Sequence, residues 1–344
     1  MNIKEAITKF VEHHSLTESE MVMVMEEIMT GVATAAQVAS FITALRMKGE
    51  TVAEITGAAR VMRQKATRIE VNYEQDQNDE LLVDTCGTGG DGSHTFNIST
   101  ATALVVAAAG LKVAKHGNRS VSSLCGSADV LKALGVNLEL TPAQVAVSIR
   151  QVGIGFLFAP LLHGAMKYAI GPRREIGIRT IFNLLGPLTN PARANVQLLG
   201  VYDRSLTRTL ASVLKGLGEE RAMVVHGAGG LDELSLLGVN YIAWLKRGVI
   251  EELTLKPADA GLSEAPLSAL KGGDALENAT LLKQVLAGEK GPRRDIVLLN
   301  SAAVFMTAER VADFRQGVEL AASTIDGGAA RQKLKELVQF SNDI

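Results

Sequence analysis

The feature that most constrains the fold is the stretch of residues 81–119, which reads LLVDTCGTGGDGSHTFNISTATALVVAAAGLKVAKHGNR. An apolar segment at 81–83 predicts a strand, a glycine-rich loop follows, an alanine-rich segment at 98–109 predicts a helix, and 113–114 predicts a second strand. Strand, helix and strand in this order are typical of a parallel sheet covered by helices. The stretch therefore predicts an α/β domain.

The loops of this stretch predict an anion site. Glycines leave the backbone free of Cβ atoms, so that its N–H groups can close around an anion. At the predicted helix start, free N–H donors and the positive end of the helix dipole favour phosphate. The loop glycines are Gly87, Gly89, Gly90 and Gly92, and Asn97, Ser99 and Thr100 begin the helix. The second strand brings back Lys115, His116, Asn118 and Arg119. We expect a highly charged, phosphate-bearing small molecule to bind here.

The residues around the glycines exclude two common phosphate-binding loops. The spacing G-x-G-x-x-G is satisfied, but a dinucleotide site also needs an acidic residue about 20 residues further on. Here the second strand ends in Lys115 and His116. No Gly-Lys-Ser/Thr follows the glycines, which excludes the P-loop. Asp91 lies within the loop and would repel a bare diphosphate unless a cation lay between them.

Composition and charge narrow the class of protein. The 344 residues suggest about two domains on a prior of ~150 residues each. The net charge of −2 gives no electrostatic footprint for nucleic acid, so anionic ligands must be met by local cations or by metal. Two cysteines, Cys86 and Cys125, are too few for a disulfide framework and are interpreted as buried thiols. No signal peptide and no apolar run of ~20 residues is present. We expect a cytoplasmic protein without nucleic-acid or membrane partners.

The first 70 residues predict a block of three or four short helices. Thr17 with Glu20 and Thr51 with Glu54 have the capping-box pattern ahead of runs with helical apolar spacing. The apolar stripes of so small a block must pack on each other and on the rest of the chain or a second copy, which makes a dimer through this block possible. The polar residues 71–80 predict a linker into the α/β domain.

Strands and helices alternate beyond this linker, with one long interruption. Residues 163–193, HGAMKYAIGPRREIGIRTIFNLLGPLTNPAR, have helical apolar spacing, and we interpret them as an excursion back into the helical block. Further on, residues 241–246 and 249–255 flank Arg247 and Gly248 and predict a β-hairpin. Residues 323–328, STIDGG, predict a turn.

Two further groups of charged residues are candidates for the site. Asp232 and Glu233 lie beside a second glycine-rich loop, HGAGGLDELS, and hard oxygen ligands near a diphosphate suit Mg²⁺. The alternative is a helix start at which acidic residues stabilise the dipole. The excursion carries Arg173, Arg174 and Arg179, and a guanidinium fork suits a carboxylate or phosphate. We interpret Arg174 as solvent-exposed.

Six motifs in register carry a resemblance through nearly the whole chain. They are DTCGTGGDG, FNIST, KHGNRSVSS, CGSADVL, GIRTIFNLLGPLTNP and VHGAGGLDE. With them the sequence resembles the anthranilate phosphoribosyltransferases of tryptophan biosynthesis. The resemblance implies a small helical domain, residues 1–72 and 164–193, that forms a homodimer, and a larger α/β domain with a mostly parallel sheet, residues 73–163 and 194–344.

The resemblance also implies the site residues. Those for 5-phosphoribosyl 1-diphosphate are Gly87, Gly90, Asp91, Thr95, Asn97, Ile98, Ser99, Thr100, Lys115, His116, Gly117, Asn118, Arg119, Ser120, Val121, Ser122, Ser123 and Ser127. Those for anthranilate are Gly87, Asn118, His163, Tyr168 and Arg173. From the residues alone, His163 either lines a pocket or is a structural histidine. Two Mg²⁺ ions per subunit are implied, one at Ser99 and Glu233 and one at Asp232 and Glu233.

The implied reaction transfers the phosphoribosyl group to the amine of anthranilate and releases diphosphate, with Lys115, Asn118 and Arg173 as catalytic residues. This is the second step of tryptophan synthesis from chorismate. Leu124 departs from the family pattern, which commonly has a basic residue there. A pyrimidine nucleoside phosphorylase-like enzyme is one alternative, although it would need no diphosphate-bound metal pair. A non-catalytic relative that binds nucleic acid is the other, and the near-neutral charge argues against it.

Overall fold

The computed structural model describes residues 1–71, 81–119 and 124–344. Of the predicted linker, only Val71 belongs to these ranges. Four predicted site residues, Ser120, Val121, Ser122 and Ser123, also lie outside the described residues.

Four helices form the predicted N-terminal block: α1 (Ile3–Val11), α2 (Glu18–Met29), α3 (Ala35–Lys48) and α4 (Val52–Lys65). Both predicted capping boxes are confirmed, at Thr17 ahead of α2 and at Thr51 ahead of α4. The second box has a further role, because Glu54 is fully buried and also accepts hydrogen bonds from the Leu16 amide and Lys48 Nζ, both at 2.9 Å. This carboxylate joins α4 to α3 and to the segment between α1 and α2.

Strands and helices then alternate as predicted, and a single seven-stranded sheet results. In chain order the elements are β1 (Leu82–Gly87), α5 (Ile98–Ala108), β2 (Lys112–Gly117), α6 (Ser127–Ala133), α7 (Pro142–Gln151), β3 (Ile154–Phe158), α8 (Ala159–Leu162), α9 (Lys167–Ile176), α10 (Ile181–Leu185), β4 (Val196–Gly200), α11 (Leu206–Gly216), β5 (Arg221–His226), β6 (Asn240–Lys246), β7 (Val249–Leu255), α12 (Ala275–Leu286), α13 (Pro292–Thr307), α14 (Phe314–Asp326) and α15 (Ala329–Asp343).

The strand order is β3-β2-β1-β4-β5-β6-β7, with parallel pairing from β3 to β5 and antiparallel pairing for β6 and β7. The chain builds the sheet in one direction from β1 to β3, makes the excursion α8–α10, and returns to place β4 on the free side of β1. The winding therefore reverses between β1 and β4. In open α/β sheets, ligands bind at such a switch point, beyond the carboxyl ends of the strands.

Two large apolar cores cover the two faces of the sheet. On one face, α5 and α12–α15 pack around residues such as Leu104, Leu299 and Phe305. On the other, the helical block, the excursion and α11 share a core that includes Phe41, Ile181 and Leu210. The excursion packs on the helical block, α9 against α2 and α3 and α10 against α4, as its apolar spacing predicted.

Two local predictions need correction, and the hairpin prediction is confirmed. β1 continues to Gly87 rather than ending near Val83, because Gly87 still pairs with Gly200 of β4. The predicted turn at 323–328 is mostly helical, since α14 runs to Asp326 and only Gly327 and Gly328 form the turn. In the confirmed β6–β7 hairpin, Arg247 and Gly248 both have positive φ, as a type I′ turn requires. No described helix is long and apolar enough to cross a membrane.

Candidate active site

A cavity of about 370 Å³ lies beyond the carboxyl ends of β1 and β2, beside the switch point between β1 and β4. We call it the strand-end cavity. Its walls contain most of the predicted site residues that the structure describes: Gly87, Gly90, Asp91, Thr95, Asn97, Ile98, Ser99, Lys115, His116, Gly117, Asn118, Arg119, Ser127, Arg173, Asp232 and Glu233. The structure therefore brings the glycine loop, the basic loop, the paired carboxylates and one arginine of the excursion to a single place.

The glycine loop is held against the acidic loop by close backbone approach. The Gly89 amide donates a hydrogen bond of 2.7 Å to Asp232 Oδ2. A Cβ on Gly87 would overlap the same carboxylate, and a Cβ on Gly200 would overlap the main-chain oxygen of Asp232. Gly87 and Gly200 are thus glycines because the Asp232 segment crosses directly over the ends of β1 and β4.

The start of α5 lacks the usual cap. Asn97 occupies the N-cap position, but its side chain makes no hydrogen bond to the helix. Instead, Asn97 Nδ2 donates to the Cys125 oxygen at 3.3 Å, and Asn97 Oδ1 accepts from Asn278 Nδ2 at 3.1 Å. The Ile98 amide donates to the Phe96 oxygen at 2.8 Å, and the Ser99 amide lies against the Glu233 carboxylate, so the start of α5 is in direct contact with the acidic loop.

Lys115 lies buried beneath the cavity. A polar network that the sequence analysis did not anticipate holds it there. Its Nζ donates to the Thr85 oxygen at 2.5 Å. Asp84, fully buried in β1, accepts from the His116 amide at 3.1 Å and from Asn190 Nδ2 at 2.8 Å. Burial raises the pKa of the Asp84 carboxyl, and the Lys115 charge opposes that shift. In the sequence, Asp84 within an otherwise apolar strand was the one indication of this buried polar network.

His116 and His163 form a buried pair, with their Nε2 atoms 3.1 Å apart. Burial lowers the pKa of His116 to about 3 and that of His163 to about 4. The Gly186 backbone lies beside the His116 ring and partly opposes the lowering of its pKa. In the neutral pair, one of the two Nε2 atoms carries a proton and donates it to the other. The neutral pair ties the end of β2 to the excursion, and His163 lies behind His116 rather than among the cavity-lining residues.

Asp232 and Glu233 are two buried carboxylates at the cavity wall. Burial and the proximity of Asp91 raise the pKa of Asp232. Burial and Asp232 raise the pKa of Glu233, which the Lys115 charge partly offsets. Among the described residues, no three His, Cys, Asp or Glu side chains converge as a closed metal site. An open pair of hard oxygen ligands, destabilised by its own repulsion, fits a Mg²⁺ ion that shares oxygen atoms with a bound phosphate.

Arg173 brings a guanidinium to the opposite wall. The guanidinium lies over the Phe182 ring at 5.0 Å and, within the described parts of the chain, makes no hydrogen bond or ion pair. Burial lowers its pKa, because the charge has lost water without gaining a counter-ion. Such a group is a receptor for a carboxylate or phosphate. Arg174, its neighbour, is exposed, in agreement with its interpretation as a surface residue.

Arg179 was not among the predicted site residues, but it contacts the glycine loop. Its guanidinium donates to the Gly90 oxygen and lies over the Tyr202 ring at 4.4 Å. It therefore joins the excursion to the glycine loop across the cavity. The motif GIRT contains Arg179, so the sequence carried the signal, but only the fold places that arginine over the loop.

Two predicted residues lie away from the cavity wall. The ring of Tyr168 packs against Gly31 of the helical block, where an added Cβ would lie 2.5 Å from it. Thr100 is buried in α5, and its hydroxyl has no hydrogen-bond partner among the described residues. Their contacts with substrate stay predictions, as do those of Ser120, Val121, Ser122 and Ser123.

Comparison with known families agrees with this architecture. Residues 4–66 match the helical bundle domain of a glycosyl transferase family, and residues 79–331 match the a/b domain of the same family. With these matches and its helical block beside a mostly parallel sheet, the chain is a glycosyl transferase of this two-domain class.

Individual relatives identify the family within this class. The anthranilate phosphoribosyltransferase of Geotalea uraniireducens is 57% identical over 99% of this chain and 100% of its own length, and that of Geobacter sulfurreducens is 56% identical over the same shares. The chain belongs to the anthranilate phosphoribosyltransferase family. The solved structure from Thermus thermophilus has a TM-score of 0.91 at 43% identity and covers 98% of this chain and 99% of its own. That from Saccharomyces cerevisiae in complex with PRPP and Mg has a TM-score of 0.89 at 27% identity, with 99% and 98% covered.

Proposed function

We infer that this chain transfers the phosphoribosyl group of 5-phosphoribosyl 1-diphosphate (PRPP) to the amine of anthranilate, giving N-(5-phosphoribosyl)anthranilate and diphosphate. This is the second step of tryptophan synthesis from chorismate. The observation that carries the inference is the strand-end cavity, in which the glycine loop, Lys115 and the paired carboxylates share one space with the Arg173 guanidinium, which has no counter-ion among the described residues. The close relatives support this reaction and neither the nucleoside phosphorylase nor the nucleic-acid-binding alternative.

The phosphoribosyl donor is assigned to the glycine-loop side. Backbone N–H groups of the glycine loop and the basic loop would hold its phosphates, and the buried Lys115 would add positive charge beneath them. Ser99, Asp232 and Glu233 would hold Mg²⁺, which stabilises the developing charge of the leaving diphosphate when it is bound.

The acceptor is assigned to the excursion side. Arg173 would bind the anthranilate carboxylate and turn the amine toward the anomeric carbon, with Asn118 on the facing wall. A neutral aromatic amine is already a nucleophile, so the protein's task is orientation. We propose that neither a covalent intermediate nor an obligatory general base is needed.

Fluorescence gives a direct test of the reaction. Anthranilate fluorescence is followed after mixing the protein with PRPP and Mg²⁺, and we expect consumption that depends on all three. A parallel assay with pyrimidine nucleosides and inorganic phosphate tests the phosphorylase alternative. Phosphorolysis without Mg²⁺, together with unchanged anthranilate, would overturn the assignment.

We also propose that each subunit binds two Mg²⁺ ions. Ser99 and Glu233 would hold one ion, and Asp232 and Glu233 would hold the other. The double variant Asp232→Asn/Glu233→Gln should lose the Mg²⁺-dependent rate by a factor of about 10³ or more, since charge stabilisation of the leaving group disappears. Titration of Mn²⁺ with PRPP present counts the ions. Retained metal-dependent turnover, or one ion bound instead of two, would contradict this arrangement.

The remaining proposals concern the whole chain. We propose that residues 1–72 and 164–193 form the small domain and residues 73–163 and 194–344 the large one, which the packing of α9 and α10 on the helical block supports. We also propose a homodimer through the helical domain and a cytoplasmic location, as expected for a biosynthetic enzyme.

A further inference from the structure

A second cavity, of about 530 Å³, lies at the opposite edge of the sheet, where β4 and β5 begin. Its walls come from α4, from the segment that leads into β4, and from the turn between α11 and β5. Four arginines line this arginine cavity: Arg60, Arg63, Arg193 and Arg221. Arg60 is paired with Glu18 and Arg63 with Glu219, so the positive charge open to a ligand comes from Arg193 and Arg221, with Glu220 as the remaining lining carboxylate and Glu309 within electrostatic reach of Arg221.

Two of the arginines are fixed in place. Arg63 Nε donates to the Leu188 oxygen at 2.6 Å, and its guanidinium also pairs with the largely buried Glu219. Arg60 donates to Glu18 at 2.5 Å and to the Gly216 oxygen at 2.7 Å. Each guanidinium has five N–H donors, so these contacts orient the two groups and leave donors unused.

The other two arginines are free. Within residues 1–71, 81–119 and 124–344, the side chains of Arg193 and Arg221 make no hydrogen bond or ion pair. Arg193 also has a φ of +54°, in the left-handed region that residues with a Cβ seldom adopt. Glycine would adopt this backbone conformation with less strain, so the turn itself does not explain why an arginine occupies the position.

We propose that the arginine cavity is a second anion-binding site that takes a small organic molecule with two or more carboxylate or phosphate groups. Its volume suits one such molecule, and guanidinium forks bind both groups through paired hydrogen bonds. A bound anion would contact α4 of the helical block and the start of β5 in the sheet together. The site is separate from the strand-end cavity and independent of the proposed reaction.

Calorimetric titration without Mg²⁺ tests this site, with citrate and inorganic phosphate as ligands at matched ionic strength. The test variant is Arg193→Gly/Arg221→Gln, since glycine suits the left-handed backbone and both positions lie at the surface of the fold. The control is Arg310→Gln/Arg331→Gln, which changes the charge equally at two exposed positions. Thermal unfolding with and without citrate gives a second readout for each protein.

Citrate or phosphate should bind the wild type and the control equally, and the test variant at least about tenfold more weakly for each arginine removed. Arg173→Ala, in the strand-end cavity, should retain this binding. The proposal is overturned if neither ligand binds the wild type, if the test variant binds like the control, or if Arg173→Ala abolishes binding. No turnover is measured, so these results stand apart from the test of the reaction.

Discussion

At the scale of single residues, Arg173 combines three properties that seldom occur together: a charged group, partial burial and no counter-ion among the described residues. Phe182 supports its face and leaves the edge of the guanidinium open to the cavity. From the sequence, Arg174 was interpreted as solvent-exposed and the family resemblance assigned Arg173 to the acceptor, but Arg179 had no assigned role. The fold separates them, because Arg173 faces the cavity, Arg174 faces solvent and Arg179 is bound to Gly90.

Replacement of Arg173 by alanine should raise the KM for anthranilate by about 10- to 100-fold. This factor corresponds to the binding free energy lost with a charge-assisted hydrogen bond. The KM for PRPP should change little, since Arg173 would grip a non-reacting group of the acceptor alone. Steady-state kinetics with each substrate varied in turn provides the measurement, and Arg174→Ala is the matched control. An unchanged anthranilate dependence in Arg173→Ala would remove this residue from acceptor binding.

The His116–His163 pair makes stability depend on pH. Both folded-state pKa values, about 3 and about 4, lie below the value of about 6.5 for an unfolded histidine. The unfolded chain therefore binds protons first as pH falls. The stabilisation is complete above about pH 6.5 and is lost as pH falls toward 4, with about 2 kcal/mol lost per histidine at pH 5.

The variant His163→Gln tests this linkage, because the glutamine amide can donate to or accept from His116 Nε2 but does not titrate. Urea unfolding at pH 7.5 and pH 5 should show a smaller drop in unfolding free energy for the variant, by about 2 kcal/mol. Equal drops for the two proteins would show that His163 is not held neutral in the folded state.

At the scale of elements, the site depends on where strands end. The strand-helix-strand pattern was sufficient to predict β1, α5 and β2 and the edge at which their loops meet. It did not predict that β1 reaches Gly87, because a glycine in a strand is indistinguishable from a loop glycine in the sequence alone. The crossing of the Asp232 segment over Gly87 and Gly200 is a contact between distant elements, which no local pattern contains.

Because of this crossing, we expect substitution of Gly200 to be more disruptive than substitution of most residues within a strand. Alanine at Gly200 would force the main chain at Asp232 away from β4, with a loss of about 1–3 kcal/mol in stability and a fall in kcat/KM as the carboxylates move. Gly164→Ala, just before α9, is the control, since nothing lies within 4 Å of its new Cβ and no proline follows it. Thermal unfolding and Mg²⁺-dependent kinetics measure the two effects. Normal activity in Gly200→Ala would argue against a fixed Asp232 segment.

At the scale of the whole molecule, helical and α/β parts were distinguishable because apolar periodicity changes from helical stripes to short apolar runs near residue 81. The return of the excursion to the helical block followed from the same periodicity. The buried supports of the site, Asp84 with Asn190 and His116 with His163, join segments far apart in the chain. Such pairs become visible only once the strand order places their segments side by side.

The helical domain carries a concentration of exposed apolar side chains. Within the described parts of the chain, eight of the fourteen exposed large hydrophobic residues lie in residues 1–71 and 164–193, among them Val32 at 71% and Met47 at 78% exposure. Tyr168 packs on Gly31 beside Val32, so helices from both segments contribute to this surface. A second copy of the chain is the partner we propose for it, since an interface of about 800 Å² per subunit would remove these side chains from water.

Glutamate at Val32 and Met47 should therefore shift the protein toward monomers. Both side chains are exposed, so the folded subunit should lose little stability, whereas an unpaired carboxylate in the interface should weaken the dimer by about 100-fold or more. Sedimentation velocity over a range of concentrations gives the dissociation constant. Leu276→Glu is the matched control, because Leu276 is 71% exposed but belongs to α12 of the α/β domain. A monomeric wild type, or a double variant as dimeric as the control, would place the interface elsewhere or remove it.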